Sequence, residues 1–593
     1  MNGLLGPIFA REVLTLPRSA RHYVARSIYV GILLVLLWTS WQAIVGFQEV
    51  QLLPDTARFG ARVVYLLSWV QLGLVFFFAP VFCANSITTE KDRRTFVLLL
   101  VTDLTNWEIV LGKLAASLLQ PSVLVLAATP VFALISLLGG VGFGQILNVV
   151  AITLATAIAA GALGIFMAAW RERTFQTLAL TVLCLSLYLV LTEISGAIVP
   201  TYWAIDREVW LGFVNPLHAI RIALDPPPLG DNTGALVTGV HVAGCLLVGA
   251  VLCVITIWKL RDWNPNPRER GINPEKLAEF SDNLDPRTLR RQSKPARKPR
   301  HVWDNPVLWR EIRTRAYGRR PVLIKAGYVL FFALVCAAFI LSAEEADLAT
   351  RLTVAQVLVP VSVVSLMIVN AQAVTSFTTE RDLRSLDLLL VTDLTPREFI
   401  AGKVLGALYN TKEMWLLPVI LCCYLWLTGY VGAEAWVYLV IAFLVLVIFS
   451  ITVGLHAGIT FDRSRVAIAN ALGIVFLLFV GILICVFLIL TAGRFESQLA
   501  SFIVFIFAGS VAMYASLAAR NPSGALALTA AMCPFLTWWC VVHLLPRGLK
   551  PGGDPLGGFV VVVAAYGFAV LSMLVPAVSE FDVALGRTVP RGE

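Results

Sequence analysis

Uncharged apolar runs recur along the chain at the length a bilayer demands. In the first half they cover Ser27–Gln48, Val63–Thr89, Leu114–Trp170, Thr174–Thr192 and Asn232–Trp258. In the second half they cover Ala326–Ala343, Leu352–Thr379, Met414–Ala433, Ala435–Phe461, Val466–Gly493, Ser497–Ala519, Asn521–Pro546 and Pro555–Ser579. Lipid leaves an unpaired backbone without partners, so each run predicts a membrane-spanning helix. A span needs about 20 apolar residues, which makes Leu114–Trp170 long enough for two and predicts about 12–14 transmembrane helices in all. Six fall in the first half and six to eight in the second. The open number concerns residues 497–546, where RNPSG parts two apolar runs that are either two further spans or a re-entrant outer hairpin. The first run lacks a small-residue cleavage site and reads as a retained span.

Between the spans, polar positions repeat. Residues 88–113 read TTEKDRRTFVLLLVTDLTNWEIVLGK and residues 378–403 read TTERDLRSLDLLLVTDLTPREFIAGK; 16 of the 26 positions are identical. Similarity of this grade marks a duplicated unit. The offset of 290 residues holds elsewhere, since the charged turn RERTF at Arg171–Phe175 corresponds to FDRSR at Phe461–Arg465. Near the start of each unit, Pro7, Arg11 and Glu12 find counterparts in Pro306, Arg310 and Glu311. Both segments put proline at a first helical position just before a span, which predicts amphipathic helices on the membrane surface. The chain thus divides into a first unit at 1–258, a Pro- and Arg-rich linker at 259–305 and a second unit at 306–593.

Composition and charge fix the class and the orientation. Hydrophobic residues make up 58% and charged residues 14%, with a mean hydropathy of +0.81. A soluble domain carries about 25% charged residues, so this is an all-α polytopic membrane protein. Lys259–Arg320 holds 17 Lys or Arg against 8 Asp or Glu. Basic loops stay inside, so the N-terminus, both repeated segments and the linker are expected on the cytoplasmic face of a cell membrane. That placement requires an even number of spans in the first unit. Six satisfies it, and yields parallel repeats about a pseudo-twofold along the membrane normal. Contact with anionic membrane lipid accounts for the basic linker without a nucleic-acid partner. The ten cysteines lie almost entirely in apolar runs with no CxxC pair, which predicts packing between helices and not a metal or disulfide framework.

Each repeated segment follows the second span of its unit. Thr105 with Glu108, and Thr395 with Glu398, spell the capping box that starts a helix, and Pro396 suits the first helical position. TDLT is then a tight turn that launches the third span. Ahead of it, Arg94–Val101 and Arg384–Val391 predict a short helix with a leucine face, flanked by the acidic–basic pairs Glu90/Lys91 and Glu380/Arg381. Leucines exposed on a loop in both copies predict a docking surface for a soluble partner, used twice.

The order of surface helix, two spans, E-[KR]-D-x-R-[TS]-x-x-LLL-x-T-D-L-T-x-x-E-x-x-x-GK and four further spans resembles the permease subunit of ABC-2 class ABC transporters. Members show E-R-E-x-x-T-L-x-x-L-L-x-T-P-L-S-x-x-E-I-x-x-G-K here, in the loop regarded as the coupling helix that sits on the ATPase subunit. Asp103 and Asp393 stand where the family has proline, a change the turn tolerates. The resemblance covers both halves and implies two ABC-2-type permease units fused in one chain. It would place the coupling role on Glu90, Arg94, Thr95, Leu98 and Leu99, and on Glu380, Arg384, Ser385, Leu388 and Leu389. It also implies an exporter of unidentified substrate, served by two copies of a separate P-loop ATPase subunit that binds ATP and Mg.

The chain itself offers no phosphate cradle. GKL at Gly112 and GKV at Gly402 lack the glycines and hydroxyl of GxxxxGK[ST], and neither HExxH nor GxSxG occurs, so no enzyme activity and no cofactor of its own are expected. Lys412 and Glu413 interrupt the third span of the second unit where the first has Ser122 and Val123. Intramembrane charges face a cavity or pair, so the two mark either a polar path or an interfacial position near the cytoplasmic end. Glu193 is expected at the outer end of the fifth span, and His241, His456 and His543 are expected to bond neighbouring helices. Two other readings fit the span count. A non-transporting subunit that transmits ATPase motion would keep the docking loops without a continuous cavity. A major-facilitator-type carrier needs glycines around D-R-x-G-R, which KDRRT and RDLRS lack.

Overall fold

The computed structural model describes residues 6–15, fragments within 23–41, 53–225 except 204, 233–264, 303–313, 322–343, 350–382, 386, 394–481, 506–544 except 508, 555–579 and 581. Among these residues all regular structure is helical, as the apolar runs predict. Nine of the described helices are long and apolar enough to cross a membrane, and two shorter apolar helices accompany them. The expected first span, 27–48, is described only in fragments, and linker residues 265–302 lie outside the described residues.

The first unit runs α1 (Gly6–Thr15), α2 (Leu53–Asp92), α3 (Phe96–Val101), α4 (Asn106–Ser136), α5 (Phe143–Trp170), α6 (Thr174–Trp203), α7 (Arg207–Val214), α8 (Pro216–Leu224) and α9 (Thr233–Trp263). The second runs α10 (Pro306–Arg313), α11 (Val322–Ala343), α12 (Thr350–Asp382), α13 (Pro396–Asn410), α14 (Lys412–Leu427), α15 (Ala433–Thr460), α16 (Ser464–Phe476), α17 (Gly524–Leu544) and α18 (Pro555–Ser579). A π turn, Leu477–Gly481, continues α16.

The duplication is three-dimensional. In each unit the second span packs closely on the fourth, α2 on α5 and α12 on α15. A glycine makes each approach possible. A Cβ on Gly164 would lie 2.3 Å from the Pro80 carbonyl oxygen, and one on Gly454, 290 residues on, 2.9 Å from that of Asn370. Small residues at such crossings let helix backbones come together where lipid supplies no hydrophobic drive.

The units join reciprocally. Helix α6 packs on α11 and α12, and its counterpart α16 packs on α2, with Phe77 stacked on Phe476 at 4.8 Å between centroids. This is the self-complementary pattern of a twofold interface, written inside one chain. The last turns of α2 and α12 meet where Arg93 lies 3.6 Å from Asp382. Both repeated segments therefore sit at one end of the molecule.

That end also bears on the described part of residues 497–546. The turn 518–523 lies there, with Arg520 3.5 Å from Asp462 and the Leu517 carbonyl 2.9 Å from His456 Nε2. From it α17 runs 21 residues, about 31 Å at helical rise, packed against α18. A turn at this end does not fit an outer re-entrant hairpin, and residues 482–505 lie outside the described residues. The short hairpin belongs to the first unit, where α7 lies against α6 and α8 against α5.

Candidate functional site

The last turn of α2 sends three consecutive charges to three different elements. Successive residues on a helix diverge around its axis, so neighbours in sequence do not face each other. Glu90 receives the ammonium of Lys113 on α4. Lys91 donates to the carbonyls of Ala169 and Arg171 at 2.7 and 2.9 Å, supplying partners to the C-terminal end of α5. Asp92 accepts from the Thr174 hydroxyl at the start of α6.

The second unit repeats the arrangement residue for residue. Glu380 lies 2.7 Å from Lys403 on α13 and also pairs with Arg310. Arg381 donates to Gly458 O at 2.9 Å and to Phe461 O at the end of α15, and Asp382 accepts from Ser464 Oγ at 2.5 Å. Helix α10 joins this cluster from the surface. Helix α10 contributes Glu311, 2.7 Å from Lys403, whose Nζ also donates to the Ser376 carbonyl at 3.0 Å. The Lys403 side chain is 0% exposed.

Beyond the clamp, α2 closes with a Schellman turn. Thr95 N–H donates to Glu90 O at 2.9 Å and Arg94 N–H to Lys91 O at 3.0 Å, with Arg94 in the left-handed position at φ 59°. Helix α3 then buries Phe96 and Leu100, half-buries Leu99, and leaves Leu98 and Val101 each 66% exposed. The capping boxes form as spelled. Thr105 Oγ1 accepts from Glu108 N–H at 3.4 Å while Glu108 Oε2 accepts from Thr105 N–H at 2.9 Å, and Thr395 with Glu398 gives 3.3 and 3.0 Å.

The sequence-predicted residues therefore divide. Glu90 and Glu380 are inside the clamp, while Arg94, Thr95 and Leu98 face outward. Arg384, Ser385, Leu388 and Leu389 lie outside the described residues. Glu90 and Lys91 do not pair with each other, nor do Glu380 and Arg381, because adjacent helical positions point apart. Sequence reasoning missed the partners Lys113, Lys403, Thr174, Ser464, Arg310 and Glu311. The signal was present in the GK that ends both copies and in the two charged turns at the same offset.

Residues 28–260 match the family model described as ABC-2 family transporter protein. The first unit is an ABC-2 membrane domain. No curated protein matches the chain. The ABC-2 domain ends where the linker begins, and the second unit carries the same clamp at the same spacing.

Against the ABC-2 domain the second unit leaves a cavity of about 790 Å³. It lies between α1, α2 and α4 on one side and the start of α16 on the other, and Arg465 crosses the boundary to donate to Ser86 O at 3.3 Å. The charges in the third span of the second unit are elsewhere. Glu413 meets Lys325 of α11 and not Lys412, whose ammonium lies 4.7 Å from the Tyr409 ring. They follow 15 residues of α13 that run beside surface helix α10, where Asn410 bonds Glu311 O at 3.3 Å, which favours the interfacial position. Glu193 holds Asn215 at 2.9 Å and His218 at 3.0 Å on the α7–α8 hairpin. His241 Nδ1 lies 3.1 Å from Phe213 O, and the side chain of His543 lies outside the described residues.

Proposed function

We propose that this chain supplies both halves of the membrane-spanning permease of an ABC exporter, driven by two separate ATPase subunits that dock on its two repeated segments. The membership of the first unit supports a permease subunit, and association with ATP-binding subunits follows for the family in general. The observation that carries the finer reading is the clamp behind the exposed α3 face. Glu90, Lys91 and Asp92 tie the end of α2 to α4, α5 and α6, so a push on Leu98 and Val101 is delivered to four helices at once. The Arg93–Asp382 contact carries it to the other unit.

In this reading ATP and Mg bind the partner subunits, and this chain supplies no catalytic group. The clamp end, the N-terminus and the linker face the cytoplasm of a cell membrane. The cavity between the units favours transport over mere transmission of force, because a transmitting subunit needs no such space. Native mass spectrometry of the complex from native membranes should count one copy of this chain with two ATPase subunits. Leu98→Glu with Val101→Glu should reduce ATPase retention at least tenfold, as interface anchors contribute about 2 kcal/mol each. Thermal stability of the chain should hold, since both side chains are already exposed. Two copies of this chain per complex, or full retention in the double variant, would refute the reading.

A further inference from the structure

We propose that the cavity between the two units binds the acidic head of an anionic amphiphile, with its apolar body directed along α2 into the membrane. The inference rests on the proposed function only in placing this end of the spans at the cytoplasmic leaflet.

Charge comes first. Among the described residues, Arg11, Lys113, Arg463 and Arg465 line the cavity together with the carboxylate of Glu90, which holds Lys113. A lining this rich in cations, in a partly enclosed site, selects an anion, and guanidinium groups fit the oxygens of phosphate or carboxylate in particular.

Polarity changes along one helix face. Asn85, Phe82 and Phe78 all line the cavity and are spaced by three and four residues, so they stand one above another on α2. Phe82 and Phe78 lie progressively deeper in the span, with their rings 5.8 Å apart between centroids. A ligand that satisfies this wall is acidic at the clamp end and apolar farther in. The volume suits a headgroup with the first part of its chains, within the usual range of ligand sites.

Asn85 supplies an independent sign. Its side chain is 2% exposed, it borders the cavity, and neither its amide nitrogen nor its amide oxygen has a partner. A buried polar group without partners is costly, and it persists where something absent from the isolated chain completes it. The other unit shows the contrast. Position 375 is threonine, its hydroxyl bonded to Ala371 O at 2.6 Å on its own helix, and the counterparts of Arg465 and Asn470 are Phe175 and Leu180. At these three positions the two copies differ.

The full chain is purified in detergent with equal amounts of phosphatidylglycerol and phosphatidylcholine, and bound lipid is counted by native mass spectrometry. One phosphatidylglycerol should be retained in preference to phosphatidylcholine. Arg465→Gln should reduce that retention about tenfold, the worth of one charge-assisted contact. Arg173→Gln, at the matching turn of the first unit, should leave it unchanged. Asn85→Leu should weaken retention while raising the apparent unfolding temperature of the lipid-free protein, an opposite pair of effects that a merely structural asparagine does not produce. Inorganic phosphate forms the second arm. Displacement of the lipid by phosphate assigns the site to the anionic group alone, and failure to displace it assigns the site to the whole amphiphile. Equal retention of both lipids, or equal loss in Arg173→Gln, would overturn the proposal. ATPase docking is not read here, so its failure in the preceding experiment leaves this result standing.

Discussion

Lys403→Met tests the energetics of the clamp most directly. Lys403 is the ammonium to which Glu311 and Glu380 both turn at 2.7 Å, with side-chain exposures of 6% and 14% for the two carboxylates. Methionine keeps the length of the stem and removes the charge. Arg310 then faces two buried carboxylates, one of which loses its closest cation. Leaving a buried charge uncompensated costs about 3–5 kcal/mol. The same substitution at Lys113 strands Glu90, whose side chain is 21% exposed, and should cost about 1–2 kcal/mol, between the buried and exposed limits. Polytopic proteins commonly unfold irreversibly, so the comparison is made on apparent midpoints at one scan rate, with all variants in the same detergent. Lys403→Met should fall well below Lys113→Met. Adding Glu311→Gln to Lys403→Met should recover part of the loss, because it removes the stranded charge. An equal effect at both lysines, or a further loss on adding Glu311→Gln, would show that burial of the cluster does not govern its strength.

Gly164→Ala should destabilise by about 1–3 kcal/mol, the usual effect of overpacking, because the added methyl meets the Pro80 carbonyl oxygen. Gly454→Ala, with its looser 2.9 Å approach, should cost less, and thermal unfolding of the two variants checks the order. At the head of α13 the Thr395 backbone N–H, then its hydroxyl, hold the Glu398 carboxyl below the usual carboxylate range. A depressed folded value means the box contributes fully above the unfolded pKa and is lost as pH falls through the folded one. Hydrogen exchange at residues 395–399, corrected for intrinsic rates, should therefore lose protection in acid, and Glu398→Gln should abolish that pH dependence.

The all-α class and the spans were legible because lipid forces long apolar runs into helices whatever their neighbours. The capping boxes were legible for a local reason, since Thr105 and Glu108 lie three residues apart and need no tertiary partner. The clamp was not. Glu90 finds Lys113 at a separation of 23 residues and Lys91 finds the end of α5 at 78, and no single copy of the segment reveals such pairings. Comparing the copies supplies them, because Lys113 and Lys403 recur together with Thr174 and Ser464. The Lys325–Glu413 pair escaped because the first unit has no charged residue at 123 to compare with Glu413. The cavity escaped for the same reason, since Arg465, Asn85 and Asn470 meet Phe175, Thr375 and Leu180 at the repeat offset.

The reciprocal seating of α6 and α16 bears on how the chain is made. Helix α6 is synthesised well before α11 and α12, against which it finally packs, so it must wait in the bilayer with that face uncovered. Its buried Thr177 and Thr181 are suited to waiting, since each hydroxyl bonds a carbonyl four residues back on its own helix, at 3.2 and 2.7 Å. Neither hydroxyl begs for a neighbour. The uncovered face, however, is one that fits a near-copy of the same unit. A ribosome that stalls in the linker would release a half able to pair with another stalled half, and steady synthesis of the second unit on the same chain is what keeps each first half from finding the wrong companion.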